Sequence, residues 1–326
     1  MDRKKLTANF ILLFTAFIWG TSFVAQRVGM DYVGPLTFTA IRFLLATLLL
    51  LLIVWFTSRR NSLTDEKNDI SKNDTYNEQS KKDECLQDAE SNRRILFVSG
   101  FSCGVILFCG SFMEQFGLVF TTASKASFIT ALYILLVPLI GLFLKHKIGL
   151  KTWFGVIIGT VGLFLLCITE TFTIAKGDFI VLIGAVFWAC HVLVIDYFLP
   201  RIDALKLATF QFGVCSFIAA IGMFLFETPS LQAIMDCAFP IAYAGIVCGG
   251  IGFTMQIIGQ KNTTPTVAAL ILSMEAIFGA VSGFILLDET MTPRELTGCL
   301  LMVVAIILSQ LPDKQEAPLP TFRFKK

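Results

Sequence analysis

Charge is scarce in this chain, and histidine scarcer still. Asp, Glu, Lys and Arg together make up 15% of its 326 residues, and His occurs twice, as His146 and His191. Two imidazoles are too few for a histidine-based metal cluster. Nine cysteines are present, yet no Cys-x-x-Cys occurs, and Cys103, Cys109, Cys167, Cys190, Cys215, Cys237, Cys248 and Cys299 lie in or beside apolar segments. There they read as small buried hydrophobes rather than as disulfide or metal partners. Also missing are a Walker-type GxxxxGK[ST] loop, a paired Asp-rich DxxxD motif, GxSxG and HExxH. An enzyme has no visible nucleophile or metal site here, no cofactor is expected, and energy from ATP would have to come from another chain. The basic, aromatic-interleaved stretch that a nucleic-acid binder needs is absent too.

What the chain does have is apolar length. Hydrophobic residues are 55% of the total and the mean hydropathy is +0.74, well outside the balance of a soluble domain. A spanning helix needs about 20 mostly apolar residues to cross roughly 30 Å of hydrocarbon. Ten segments meet that requirement: Ala8 to Val28, Pro35 to Phe56, Ile95 to Gln115, Ala123 to Leu144, Leu150 to Ile168, Asp178 to Phe198, Leu205 to Phe226, Pro240 to Ile258, Pro265 to Leu287 and Arg294 to Gln310. Pro35, Pro240, Pro265 and Pro293 fall at helix starts, where a missing N–H costs nothing. Pro138, midway along the fourth segment, predicts a kink there. The N-terminal MDRKK and its apolar run read as an uncleaved first span, since the run is long and no A-x-A site follows.

Lys and Arg set the orientation. With the N-terminus in the cytoplasm, inside segments hold 21 of the 26 basic residues, whereas Arg27, Lys125, Lys176 and Arg294 fall outside and Arg42 lies within a helix. The positive-inside rule thus puts both termini in the cytoplasm of an inner-membrane, multi-pass protein. Residues 57–94 carry nine acidic and eight basic residues and almost nothing apolar. Such a stretch cannot bury a core and predicts a disordered cytoplasmic loop, and residues 313–326 read as a cytoplasmic tail.

The chain also repeats itself. Shifting Phe17 to Phe43 by 169 positions sets Trp188 on Trp19, Phe210 on Ile41, Gln211 on Arg42 and Phe212 on Phe43. A later match near 142 sets Glu275 on Tyr133 and Gly283 on Gly141. Ten spans in two copies make five per copy, and an odd number inverts the second copy in the bilayer. The expected fold is an all-α integral membrane protein of ten transmembrane helices, with one five-helix repeat over 1–168 and its inverted partner over 169–312. Small-residue ridges, Gly155, Gly159 and Gly162 in the fifth span and Gly249, Gly250 and Gly252 in the eighth, let helix backbones approach closely. The fifth-span ridge serves either packing within the protomer or a homodimer.

Polar groups inside hydrocarbon are expensive and therefore informative. Arg42, seven residues into the second span, is either a planar clamp for a carboxylate or phosphate, one half of an internal pair, or a snorkelling side chain. Glu275, near the middle of the ninth span, could carry a proton, which would couple transport to a proton gradient, or be held ionised by a partner such as Arg42. Trp19 and Trp188, both mid-helix, either line a cavity or pack. Thr21, Ser22 and Gln26 stand near Trp19. His191 lies one turn after Trp188, where it could bind, titrate or satisfy a carbonyl. Gln115, Tyr133 and Gln256 supply further neutral hydrogen-bonding groups, and Gln211 is the neutral counterpart of Arg42. Glu114 and Asp196, close to helix ends, read as interfacial.

The strings AFIWGTSFVAQRVG and PLTFTAIRFLLATLLLLL, with TTASKASFITALYILLVPLIGL and TPTVAALILSMEAIFGAVSGFILLDE, resemble the EamA-type transporters of the drug/metabolite transporter superfamily. The resemblance covers nearly the whole chain outside 57–94 and the tail. It implies two inverted five-helix halves around a central cavity built by the first four spans of each, and places Trp19, Arg42, Tyr133, Trp188, Gln211 and Glu275 on cavity-forming helices. One departure is visible: the ninth span of such proteins often reads Leu-Glu-Pro, where Met274, Glu275 and Ala276 stand here, which puts the expected kink in question. The resulting expectation is a secondary transporter, an exporter of an amino acid or related amphipathic metabolite. A lipid-intermediate flippase on the same fold and a polytopic membrane enzyme are the rivals.

Overall fold

In the computed structural model, residues 3–69, 78–143, 150–167, 174–198, 201–260, 271–272 and 274–310 are described. Among them there is no β-strand, and the chain runs as α1 (Arg3–Gly29), α2 (Pro35–Asp69), α3 (Glu78–Gly117), α4 (Ala123–Ala131), α5 (Tyr133–Phe143), α6 (Leu150–Cys167), α7 (Lys176–Phe198), α8 (Ala204–Phe226), α9 (Leu231–Asp236), α10 (Ala238–Ala242), a π-helix (Tyr243–Gly252), α11 (Phe253–Gln260), α12 (Glu275–Leu287) and α13 (Pro293–Gln310). Among the described residues, six stretches are long and apolar enough to cross a bilayer: Leu6–Gly29, Pro35–Thr57, Arg93–Gly117, Lys176–Ile195, Ala204–Phe226 and Ala238–Gln256. Shorter apolar helices fall at Ala123–Val137, Trp153–Gly162 and Glu275–Leu287, on three more of the expected segments. Phe10, Phe101, Phe154, Phe217 and Phe284 leave half or more of their surface exposed, which water would penalise and lipid would not.

The helix pairings close a ring. In order around it, α1 packs on the π-helix and α11, the π-helix on α2, α2 on α8, α8 on α3, α3 on α7, α7 on α4 and α5, α4 on α12, and α12 back on α1. Outside the ring, α6 and α13 pair with each other. The fifth-span ridge explains that pair: a Cβ added at Gly162 would stand 2.8 Å from the Gly298 carbonyl oxygen, and one at Gly159 would stand 3.3 Å from Ala305. The glycines thus serve packing within the protomer. The strongest pairings all join an element before Cys167 to one after Ile174, so the two portions of the chain interleave rather than form separate lobes.

Three expectations change. Helix α2 continues to Asp69 and α3 begins at Glu78, so much of 57–94, expected as a disordered loop, is helical, while 70–77 lie outside the described residues. A spanning helix supplies the nucleus that an isolated segment lacks, and Glu, Lys, Gln and Arg propagate helix readily. The break in the fourth span comes at Leu132, upstream of Pro138, where Leu132 N–H bonds to the Ile129 carbonyl, an i→i−3 turn. Proline disturbs the turn on its N-terminal side, which is the side affected here. The ninth span breaks without its proline: Met274 N–H bonds to the Ile271 carbonyl in the same manner, and α12 starts at Glu275. The two breaks are 142 positions apart.

Candidate functional site

The ring encloses a cavity of about 250 Å³. Its lining begins near the ends of α1 and α3, at Gln26 and Glu114, and reaches Ile195 and Gln256 towards the opposite ends of α7 and α11. Glycines bring the walls together. A Cβ at Gly245 would lie 2.6 Å from the Arg42 carbonyl oxygen, one at Gly249 2.8 Å from Ala46 Cβ, and one at Gly252 2.8 Å from Trp19 Nε1. The segment that carries them is the π-helix, a rare geometry that marks functional stretches.

Arg42 is the cation of the site and is buried. Its Nη1 donates to Gln26 Oε1, Gln26 Nε2 donates to Ser22 Oγ at 2.9 Å, and Gln115 Nε2 donates to the Gln26 backbone carbonyl at 2.9 Å. The guanidinium lies over the Phe43 ring at 4.8 Å and near Phe38 at 5.7 Å. Such stacking suits a weakly hydrated planar cation. Its Nε is buried without a hydrogen-bond partner. One donor of the fork is therefore unspent, and a buried unsatisfied donor is costly unless a ligand meets it.

Glu114, 4% exposed, lines the same cavity. Trp188 Nε1 donates to its Oε2 at 2.9 Å, Gln26 and Thr130 lie beside it, and its charge is felt by Arg42. The two are not a contact ion pair, so each retains capacity for a ligand. Trp19 makes the matching bond on its own side, donating Nε1 to the Cys248 carbonyl at 3.3 Å. His191 pairs its Nε2 with Gln211 Oε1 at 2.9 Å and meets Trp188 edge-on at 5.7 Å. Glu275 is buried within electrostatic reach of Tyr133 and Glu114. Arg42, one alternative partner for it, bonds to Gln26 and has Glu114 as its electrostatic neighbour.

Of the residues singled out from sequence, Trp19, Ser22, Arg42, Tyr133, Trp188, His191, Gln256 and Glu275 line this cavity. Gln211 does not; it lies behind His191, 1% exposed. Glu114, read as interfacial, is a correction. Counting residues to the helix end placed it near water, but α7 closes over α3 there, with a Cβ at Gly184 only 3.3 Å from the Glu114 nitrogen. Gln26, which the sequence sets near Trp19, lines the cavity too, and Phe43, Thr130 and Cys248 do so without having been singled out for it. Among the described residues no cluster of His, Cys, Asp and Glu could hold a metal.

The sequence profile of the EamA-like transporter family matches residues 6–168 and again 175–311. An uncharacterized transporter of Archaeoglobus fulgidus is 25% identical over 311 residues, which span 94% of this chain and 87% of that protein. The uncharacterized transporter YoaV of Bacillus subtilis is 20% identical over 304 residues, 91% and 94% of the two chains. A protein solved by crystallography superposes with a TM-score of 0.61 at 18% identity, covering 94% of this chain and 96% of its own. That likeness concerns the fold alone.

Proposed function

The chain belongs to the EamA-like transporter family, and from that premise we propose that it is a secondary active exporter of a small amphipathic metabolite, with a zwitterion such as an amino acid as the substrate class. The observation that carries this reading is the juxtaposition in one buried cavity of Arg42 and Glu114, opposite charges that spare capacity for a ligand, between the Trp19 and Trp188 indoles. Arg42 receives a carboxylate through the donor capacity that Gln26 leaves unspent, Glu114 receives an ammonium, and the indoles flank an apolar side chain. A cavity of about 250 Å³ is smaller than those that hold drug-sized ligands, which supports a metabolite over a lipid-linked intermediate.

Ten spans in two inverted repeats, with both termini cytoplasmic in an inner membrane, complete the proposal. In its favour, the family profile matches twice, the helix breaks recur 142 positions apart at Leu132 and Met274, and the repeat-related Phe43 and Phe212 pack against each other at 5.3 Å. Alternating access then takes place between two arcs of the ring, one of α12, α1, the π-helix with α11, and α2, the other of α8, α3, α7, and α4 with α5. These arcs mix the sequence halves, so the rocking bodies are not the repeats themselves. Glu275 remains the candidate for proton coupling.

The test is flux. Purified protein in proteoliposomes, loaded with radiolabelled amino acids of neutral, aromatic and charged side chains, should release at least one zwitterion faster than empty vesicles, with no chemical change. Formation of a product would point to an enzyme, and movement of a fluorescent lipid between leaflets without solute flux would favour a flippase.

A further inference from the structure

The two arcs meet at two seams, α2 against α8 and α4 against α12, on opposite sides of the ring. At one end of the bundle, the end away from the N-terminus, each seam is stapled by a carboxylate. Glu227, just past α8, reaches across to the start of α2 and accepts from Leu36 N–H at 2.9 Å, Thr37 N–H at 2.8 Å and Thr37 Oγ1 at 2.6 Å. Glu289, just past α12, reaches the start of α4 and accepts from Ala123 N–H at 2.7 Å, Ser124 N–H at 2.9 Å and Ser124 Oγ at 2.6 Å. The constellation is the same in both places: one carboxylate, two successive backbone N–H groups and the hydroxyl of the second residue. Helix N-termini leave such N–H groups without internal partners and carry the positive end of the dipole, so a carboxylate from a neighbouring helix satisfies both. Nothing in the chemistry of capping requires the carboxylate to come from the opposite arc. Here it does at both seams.

The cavity accords with this placement. A second recess, of about 490 Å³, lies at the stapled end, lined by Arg27, Asp31, Thr121, Thr122 and Glu289 among others. It shares no lining residue with the central cavity. Gln26 belongs to one and Arg27 to the other, so the layer that separates them is thin, and the Gln115 bond to the Gln26 carbonyl crosses it from arc to arc. From Lys176, at the stapled end, to Ile195, still on the cavity wall, α7 rises about 28 Å at 1.5 Å per residue. Among the described residues the site is thus separated from the recess at the stapled end and extends away from it. At the repeat-related positions, 169 before Glu227 and 142 before Glu289, the sequence has Ser58 and Lys147. Neither is a carboxylate, so the sequence does not repeat the carboxylate at either counterpart position.

We propose that Glu227 and Glu289 are paired latches: positioning residues that act through the N-termini of α2 and α4 to hold one end of the transporter shut, so that the empty protein rests with its site presented at the end bearing the termini. This rests on the transporter reading above. It assigns a preferred loading side and makes release of both seams the event that cargo binding must drive.

Hydrogen exchange on the purified full-length protein in lipid nanodiscs, without substrate, tests it. The variants are Glu227→Gln with Glu289→Gln, and the milder Thr37→Val with Ser124→Ala. If the latches hold the end shut, exchange in peptides covering 34–41 and 121–128 rises roughly tenfold. Exchange in peptides covering 192–198 and 253–260, at the far end of the cavity, should fall as that end closes in turn, and the milder pair should shift both in the same directions by less. Faster exchange confined to the first turns of α2 and α4, with the far end unmoved, would show capping alone and overturn the proposal. Should the carboxylate variant fail to fold, the hydroxyl pair reads the same reciprocal change. The transporter reading is judged separately by flux through the unaltered protein, which this measurement does not use.

Discussion

The residues that matter most are those whose polar capacity the protein leaves unspent. Arg42 illustrates the logic: Gln26 orients it, Phe43 and Phe38 support its plane, and its Nε waits without a partner. Lysine can supply the charge but neither the fork nor the planar stack. Arg42→Lys should therefore insert and fold normally yet lose roughly tenfold or more in apparent affinity for a carboxylate-bearing substrate, the scale of a lost charged hydrogen bond. Wild-type flux in that variant would remove Arg42 from recognition. Glu114→Gln tests the opposite pole, because glutamine can still accept from Trp188 Nε1 while presenting no charge to an ammonium. Concentration dependence of flux should show a similar loss for zwitterions and little for an analogue that lacks the amine. Equal losses for both would make Glu114 a structural acceptor. Sequence made Arg42 legible because a cation within an apolar helix has no bland surroundings. It concealed Glu114 because distance to a helix end is a property of one helix, whereas burial is decided by what its neighbours do.

Among the elements, the glycine-lined contacts carry the architecture. Gly245, Gly249 and Gly252 let the π-helix lie directly on α1 and α2, and Gly159 and Gly162 let α6 meet α13. Gly162→Leu would force a side chain into the space held by the Gly298 carbonyl and Met302. Overpacking of this kind costs about 1–3 kcal/mol. Since α6 and α13 stand outside the ring, thermal unfolding in detergent should shift to lower temperature while binding at the cavity survives. A variant as stable as the parent would mean that the pair adjusts without strain. The spacing of these glycines could be read from the sequence, and so could the spans that contain them, because hydrocarbon imposes length and composition on each helix alone. The break at Leu132 and the helical run into 57–94 were less legible. One depends on how a proline's crowding is absorbed upstream, the other on a nucleus donated by a neighbouring span.

At the scale of the whole molecule, the ring order is what the linear repeat could not disclose. A match at 169 positions states which residues correspond, yet not that α3 lies against α7 or α1 against the π-helix. The order is the one that the proposed repeat requires. Exchanging each expected span for its counterpart turns the ring into itself, and α2 with α8 and α4 with α12 become pairs of counterparts, which places them at the seams. A symmetric ring by itself favours neither end. Preference must come from residues that break the symmetry, and Glu227 and Glu289, whose counterparts in the sequence are Ser58 and Lys147, are such residues. The transport cycle should register that bias. When flux is driven in each direction across oriented proteoliposomes, wild-type protein should show a lower half-saturating substrate concentration from the side bearing the termini. Glu227→Gln with Glu289→Gln should raise the value on that side and lower it on the other, so that the two converge, and the maximal flux in each direction should shift in proportion, because no variant can alter the equilibrium of the solute itself. Half-saturation constants that keep their wild-type ratio in the variant would locate the asymmetry elsewhere, with Arg42 and Glu114 the next groups to exchange for their neutral counterparts.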